Sequence, residues 1–316
     1  MNEESRNGFK SGFVAVVGRP NVGKSTLVNR LVGTKVSITS PRPQTTRSPI
    51  RGVRNGSGYQ TVFVDTPGSQ KPRDTLRNRM QQQVLDSLSE SDIVLVLFDA
   101  QQARNGLGTG DRYVARLVAE SGTPVIAVIN KVDLLRNPSE ALPIVEEVSN
   151  LAEHEDTFLL SATEGLNVEP LMETVVGLLP PGPQYFPEGA VTDYPESLIL
   201  AEYIREKALN ALREEVPHAI AVEIDEVERK DNVTVVYAII HVERASQRMI
   251  VLGKNGKIIK QIGTEARRDV ERLLGTRLYL QIQINASAKE AFDVAAGFGA
   301  DLLDGLAVLA EDYHAL

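Results

Sequence analysis

The sequence predicts two domains in series: an α/β domain on a mostly parallel sheet, then a smaller α+β domain. Three observations carry that prediction. Over the first 180 residues, Val- and Ile-rich runs alternate with helical patterns, as βαβ units do. Residues 180–195 hold five prolines and two glycines, a density that breaks any helix or central strand. After them the order becomes a long helix, two strands, short helices around a glycine-rich turn, and a strand. A length of 316 residues fits two domains, each able to bury a core.

Taken in order, strands are expected at 12–17, 60–65, 93–99, 124–130 and 157–161, with helices at 24–32, 75–88, 111–119, 143–152 and 168–179. The last three strands are continuously apolar, which suits strands covered by helices on both faces. The first domain then spans 10–180 and the linker 181–195. The second domain, 196–285, has a helix at 197–214, strands at 219–228 and 233–244, and a closing strand at 277–284. A tail follows at 286–316. Phe292, Ala295, Ala296 and Phe298, then Leu302, Leu303, Leu306 and Leu309, have the spacing of one or two amphipathic helices packed on the second domain.

Composition narrows the classes. No apolar run reaches the length of about eighteen residues that a spanning helix needs, and residues 1–10 are polar, so a soluble, unexported chain is expected. Without cysteine there is no thiolate nucleophile or metal site, and His154, His218, His241 and His314 have no ligand spacing. The net charge of −8 argues against general coating of nucleic acid, yet it conceals a local contrast. Residues 244–272 carry eight Lys/Arg against three Asp/Glu, whereas 285–316 carry one against six.

The chemistry-bearing motifs lie at strand ends. GRPNVGKS, Gly18 to Ser25, fits G-x-x-x-x-G-K-[ST] between a strand and a helix. Its glycines let backbone N–H groups turn toward phosphate oxygens at the positive end of a helix. Lys24 suits the β and γ phosphates, and the Ser25 hydroxyl suits magnesium. DTPG follows, with Asp65 placed to reach the metal through water and the Gly68 N–H to meet the γ phosphate. NKVD comes third: the Asp133 carboxylate accepts two N–H bonds from guanine, where adenine would leave buried groups unpaired. Lys131 lays its stem along the base, and Ser161–Ala162 ends a strand where a backbone N–H can reach the guanine carbonyl. Their joint order selects GTP over ATP and predicts a P-loop nucleotide-binding domain.

GRPNVGKST, SPRPQTTR, VDTPG, NKVD and SATEGLNV resemble the Era family of bacterial GTPases over residues 10–284. The resemblance implies a Ras-like GTPase domain followed by a type II KH domain, binding to small-subunit (16S) ribosomal RNA near its 3′ end, and a role in assembly of the 30S subunit. It places Gln44 to Arg47 in the first switch loop, with Thr46 as the second magnesium-binding hydroxyl and Thr45 as the alternative. The expected nucleotide set is therefore Gly18, Asn21, Val22, Gly23, Lys24, Ser25, Thr26, Asp65, Thr66, Pro67, Gly68, Asn130, Lys131, Asp133, Ser161 and Ala162. Ser25, Thr46 and Asp65 would hold Mg2+, while Lys24, Thr46 and Gly68 would act on the transferred phosphoryl group. Ras-like enzymes carry glutamine after the D-x-x-G glycine, and relatives of Era an apolar residue; this chain has Ser69, with Gln70 one step later, which leaves the water-positioning group unassigned. Asn21 matches the asparagine that helps hold K+ in potassium-activated relatives, although a turn asparagine reads the same way.

In the second domain, LGKNGKIIKQI contains G-x-x-G. Gly253 and Gly256 allow close approach of a nucleic-acid backbone, Lys254, Lys257 and Lys260 supply charge, and Asn255 completes the turn. RNA is the first reading for this surface. An anionic membrane or protein partner is the second, which would put the chain peripherally on the cytoplasmic face of the cell membrane. A GTPase supporting RNA modification is the third, but no second catalytic constellation accompanies it.

Overall fold

The computed structural model describes residues 8–40, 45–46, 48–69, 75–151, 153–213, 216–287 and 294, with backbone alone for 75–80 and 218. By internal contacts the chain divides into two units, Met1–Asp193 and Tyr194–Leu316. Gln44, Arg47, Gln70 and the tail helices expected beyond Ala286 lie outside the described residues, apart from residue 294.

The first unit is a six-stranded sheet built from β1 (Lys10–Gly18), β2 (Ile50–Gly56), β3 (Tyr59–Asp65), β4 (Ile93–Asp99), β5 (Val125–Asn130) and β6 (Asp156–Leu160). The strand order is β2-β3-β1-β4-β5-β6, and only the β2–β3 pairing is antiparallel. Side chains alternate between two cores. On one face Val14, Val16, Leu95 and Val128 pack under α1 (Lys24–Val32) and α6 (Val168–Leu178). On the other, Ala15, Val17, Val96 and Ile129 pack under α2 (Thr75–Ser89), α4 (Thr109–Ala119) and α5 (Ala141–Ser149). The short helix α3 (Ala100–Ala103) follows β4 directly. Burial on both faces is why β4 and β5 read as unbroken apolar runs, each fully buried Val or Ile contributing about 1.5–3 kcal/mol. Parallel pairing brings the carboxyl ends of β1, β3, β4 and β5 to one edge of the sheet, the edge where open α/β sheets bind ligands.

β2 escaped the sequence reading. Its sequence, IRGVRNG, has two arginines and two glycines and no apolar run. It holds the edge because Gly52 lets α1 come close: a Cβ there would stand 2.7 Å from Val32 Cγ2. The proline-rich segment also differs from the open tether that its composition suggests. Val53 N–H donates to the Val191 carbonyl at 2.9 Å, Arg51 pairs with Asp193 at 2.7 Å, and the buried Gln60 side chain bonds Tyr185 and Phe186 backbone. Residues 182–193 are thus strapped along β2 and β3.

The second unit has α7 (Glu196–Ala211), β7 (Ile220–Lys230), β8 (Val233–Val242), α8 (Ala245–Leu252), α9 (Lys257–Leu274) and β9 (Arg277–Ala286). The sheet order is β7-β8-β9, with β7–β8 antiparallel and β8–β9 parallel. Ala201, Ile204, Val222, Ile240, Ile262 and Ala266 form its core between helices and sheet. This is the α+β arrangement of a type II KH domain, in the element order read from the sequence.

Candidate nucleotide and RNA sites

The phosphate loop begins where β1 ends and closes at α1. Asn21 and Gly23 adopt left-handed backbone, φ 65° and 101°, which aims successive N–H groups inward. Lys24 is 6% exposed, and its Nζ donates to the Gly18 and Arg19 carbonyls at 3.2 and 3.1 Å. Burial lowers its pKa to about 8, against the opposing pull of Asp65. The Arg19 guanidinium is held away on Asp111 of α4 at 2.9 Å.

Three oxygens meet where the metal was expected. Ser25 Oγ lies 3.1 Å from Thr46 Oγ1, which donates to Asp65 Oδ2 at 3.2 Å. Asp65 is fully buried, and burial raises its pKa while Lys24 and the Ser25, Ser37 and Thr46 hydroxyls pull it down. Its Oδ1 has no protein partner. A buried carboxylate oxygen without a donor, beside two hydroxyls, fits a hard divalent cation that prefers oxygen ligands. Thr46 rather than Thr45 is the residue brought to Ser25 and Asp65. Thr66 and Pro67 are buried; Thr66 Oγ1 donates to the Val16 carbonyl at 2.8 Å, and a Cβ on Gly68 would meet Pro20 at 2.8 Å. Ser69 turns its N–H to the Gly18 carbonyl at 3.0 Å and does not line the cavity.

Asn130 does more than end the guanine motif. Its Nδ2 donates to the Val22 carbonyl at 2.8 Å and its Oδ1 accepts the Ala162 N–H at 3.0 Å, so one side chain ties the phosphate loop, β5 and the loop after β6 together. Of the Ser161–Ala162 N–H groups, either of which could face a guanine carbonyl by the sequence reading, that of Ala162 is committed to Asn130. The Ser161 N–H goes to the Leu166 carbonyl at 3.3 Å. Lys131, at φ 66°, donates to the Asn21 carbonyl and to Asp99 Oδ2, both at 2.6 Å. Asp133 is exposed on the short turn that follows, open to accept from a ligand edge.

Between these strand ends lies a cavity of about 510 Å3, lined by Asn21, Gly23, Lys24, Ser25, Thr26, Thr46, Gly68 and Lys131 among others. Asp99, Gln101 and Gln102 also line it and were missed in the sequence. An aspartate ending a strand before a helix reads as an ordinary N-cap, which hid its second contact.

In the second unit Gly253 and Gly256 both have positive φ, 71° and 72°, as does Asn255 at 54°. A Cβ on Gly253 would stand 2.7 Å from Ile258 Cγ1, whereas at Gly256 the nearest atom is 3.9 Å away. Lys254, Asn255, Lys257 and Lys260 are exposed around this turn, so three ammonium groups border a backbone that a ligand can approach closely.

Comparison with known proteins gives the family. A family model described as 50S ribosome-binding GTPase matches residues 13–131, and a KH domain model matches residues 215–290. GTPase Era of Carboxydothermus hydrogenoformans is 46% identical over 278 residues, 87% of this chain and 92% of that protein. A crystal structure of an Era with MgGDPNP and nucleotides 1506–1542 of 16S ribosomal RNA superposes with a TM-score of 0.84 at 40% identity, covering 88% of this chain and 94% of that one. A variant of Aquifex aeolicus Era bound to GDP and AlF4− gives the same values.

Proposed function

This chain belongs to the Era family of GTPases, a Ras-like GTPase domain followed by a KH domain, and on that premise we propose that it hydrolyses GTP in the first unit, binds small-subunit 16S ribosomal RNA through the second, and acts in assembly of the 30S subunit in the cytoplasm. The observation that carries the reading is the convergence of Lys24, Ser25, Thr46 and Lys131 on one cavity, with the buried Asp65 bonded behind Thr46 and Asn130 tying the phosphate loop to the loop after β6.

The residues divide the work. Gly23, Lys24 and the α1 N-terminus cradle the β and γ phosphates, with Gly18, Val22 and Thr26 shaping the loop. Asp133 reads the guanine N–H edge, while Lys131 supports the base. Ser25, Thr46 and Asp65 would hold Mg2+, which would supply positive charge against the phosphates. As water attacks the γ phosphorus, the bond to the β–γ bridging oxygen breaks and GDP and phosphate form. Lys24 and the Gly68 N–H stand where negative charge then accumulates. We extend the proposal to a potassium ion beside Asn21, supported by the left-handed turn that this residue makes at the cavity wall. Equal turnover in potassium and sodium at one ionic strength would rule it out.

For the second unit, the support is the left-handed G-x-x-G turn bordered by the exposed Lys254, Lys257 and Lys260. Replacing Lys254 and Asn255 by aspartates keeps both glycines and puts carboxylates where phosphates approach. Affinity for a 16S 3′-end fragment should fall and its salt dependence flatten, with GTP binding retained. Wild-type RNA affinity in that variant would refute the RNA reading. Selective loss of binding to anionic vesicles would instead favour peripheral membrane contact.

A further inference from the structure

We propose that Asp99 is a positioning residue for guanine-nucleotide binding, its carboxylate fixing the Lys131 ammonium so that the lysine stem is ordered before the base arrives. The inference rests on the nucleotide-site reading above and deepens it.

Asp99 ends β4 directly beside Asn130 at the end of β5, and only 4% of it is exposed. Its two oxygens do different things. Oδ1 accepts the Gln101 and Gln102 N–H groups at 2.9 and 3.1 Å and so caps α3. Oδ2 accepts Lys131 Nζ at 2.6 Å and Gln102 Nε2 at 3.2 Å. The same ammonium donates to the Asn21 carbonyl in the phosphate loop. Lys131 is therefore a bridge with one foot on the loop and one on Asp99, and its backbone turn is left-handed, a conformation that needs support in a residue other than glycine.

Charge gives the arrangement its purpose. A bound nucleoside triphosphate brings several negative charges into the cavity, and an untethered lysine beside it would be drawn to them. A buried, stationary carboxylate holds the ammonium beside the base instead. The ordering of a long side chain is then complete before binding, which is how preorganisation raises affinity. Neither oxygen of Asp99 needs to touch the nucleotide.

Asp99→Asn separates the two roles. The amide keeps an Oδ1 that can cap α3, since asparagine is as good an N-cap as aspartate, but it presents an N–H2 group to Lys131 in place of Oδ2. GTP affinity and steady-state kinetics would be compared in the full-length wild type, Asp99→Asn, Lys131→Met and the double variant, with thermal unfolding of each. Asp99→Asn should weaken GTP and GDP by about tenfold or more, the scale of one charge-assisted hydrogen bond, and raise KM far more than it lowers kcat. On the Lys131→Met background it should change affinity by less than about twofold. Wild-type affinity in Asp99→Asn, or an undiminished loss in the double variant, would overturn the proposal. Failure of the wild type itself to bind GTP would overturn the underlying site reading instead.

Discussion

Replacing Asn130 by alanine removes in one step the two hydrogen bonds that join the end of β5 to the phosphate loop and to the loop after β6. Nδ2 leaves the Val22 carbonyl, a 2.8 Å bond, and the Ala162 N–H loses its 3.0 Å acceptor. Val22 is 1% exposed and Ala162 2%, so water cannot replace both without opening the site. An unsatisfied buried polar group costs about 1–3 kcal/mol, so the two together cost about 2–6 kcal/mol, shared between folding stability and nucleotide affinity. If half falls on binding, GTP affinity drops by roughly 5- to 150-fold, at about 1.4 kcal/mol per factor of ten. Urea unfolding of the nucleotide-free protein and a fluorescent-GTP titration measure the two shares. Asn130→Asp is a companion: it keeps an acceptor for Ala162 but sets a carboxylate oxygen against the Val22 carbonyl, so it should gain nothing over alanine. Stability within about 0.5 kcal/mol of wild type and unchanged GTP affinity would show that the loops are positioned independently.

Asp133→Asn should shift preference from GTP toward xanthosine triphosphate, whose base offers the amide a carbonyl; a competition assay that finds GTP selectivity intact would refute the assignment. Lys24 gives a pH signature. Its folded pKa of about 8 lies below the ordinary 10.5, so between those values the unfolded chain holds a proton that the folded one has lost. Stability of the nucleotide-free protein should therefore rise with pH across that window, by up to about 3 kcal/mol, relative to Lys24→Met; a flat difference between their unfolding profiles would contradict it. Phosphates restore the proton, so GTP binding above pH 8 should take one up, which calorimetry in buffers of different ionisation enthalpy detects. In the second unit, Gly256→Ala should cost about 1–2 kcal/mol for its left-handed backbone alone, and Gly253→Ala more, because its Cβ also meets Ile258 at 2.7 Å. Equal unfolding midpoints would remove that distinction.

Burial on both faces made some strands easy to read, although β7 and β9, buried on one side at most, were legible too. β4 and β5 are apolar on both faces and announce themselves; β2, an edge strand with Arg51, Gly52 and Arg54, does not. The site motifs were legible because phosphate and guanine chemistry dictates residue types at fixed spacing. What holds them together was not: Asn130 reads as one letter of a guanine motif and Asp99 as a helix cap. Their decisive contacts cross 108 and 32 residues of chain, to Val22 and Lys131. No local periodicity encodes a bond of that span. The proline-rich segment was misleading for a related reason, since its composition reports the absence of helix and says nothing of a partner such as Gln60.

That strap bears on where the chain can be divided. Cutting after Pro180, as composition suggests, would strip the Gln60 amide of its bonds to Tyr185 and Phe186 and leave the Val53 N–H facing solvent on a bare strand edge. An unpaired edge is a template for pairing with other chains, so a truncated first half would tend to self-associate. A fragment extended to Asp193 keeps the edge covered and retains the Arg51–Asp193 pair. The smallest self-sufficient first half therefore ends well beyond the proline stop of its last helix, and the segment that looks like a spacer is part of what it would be taken to space.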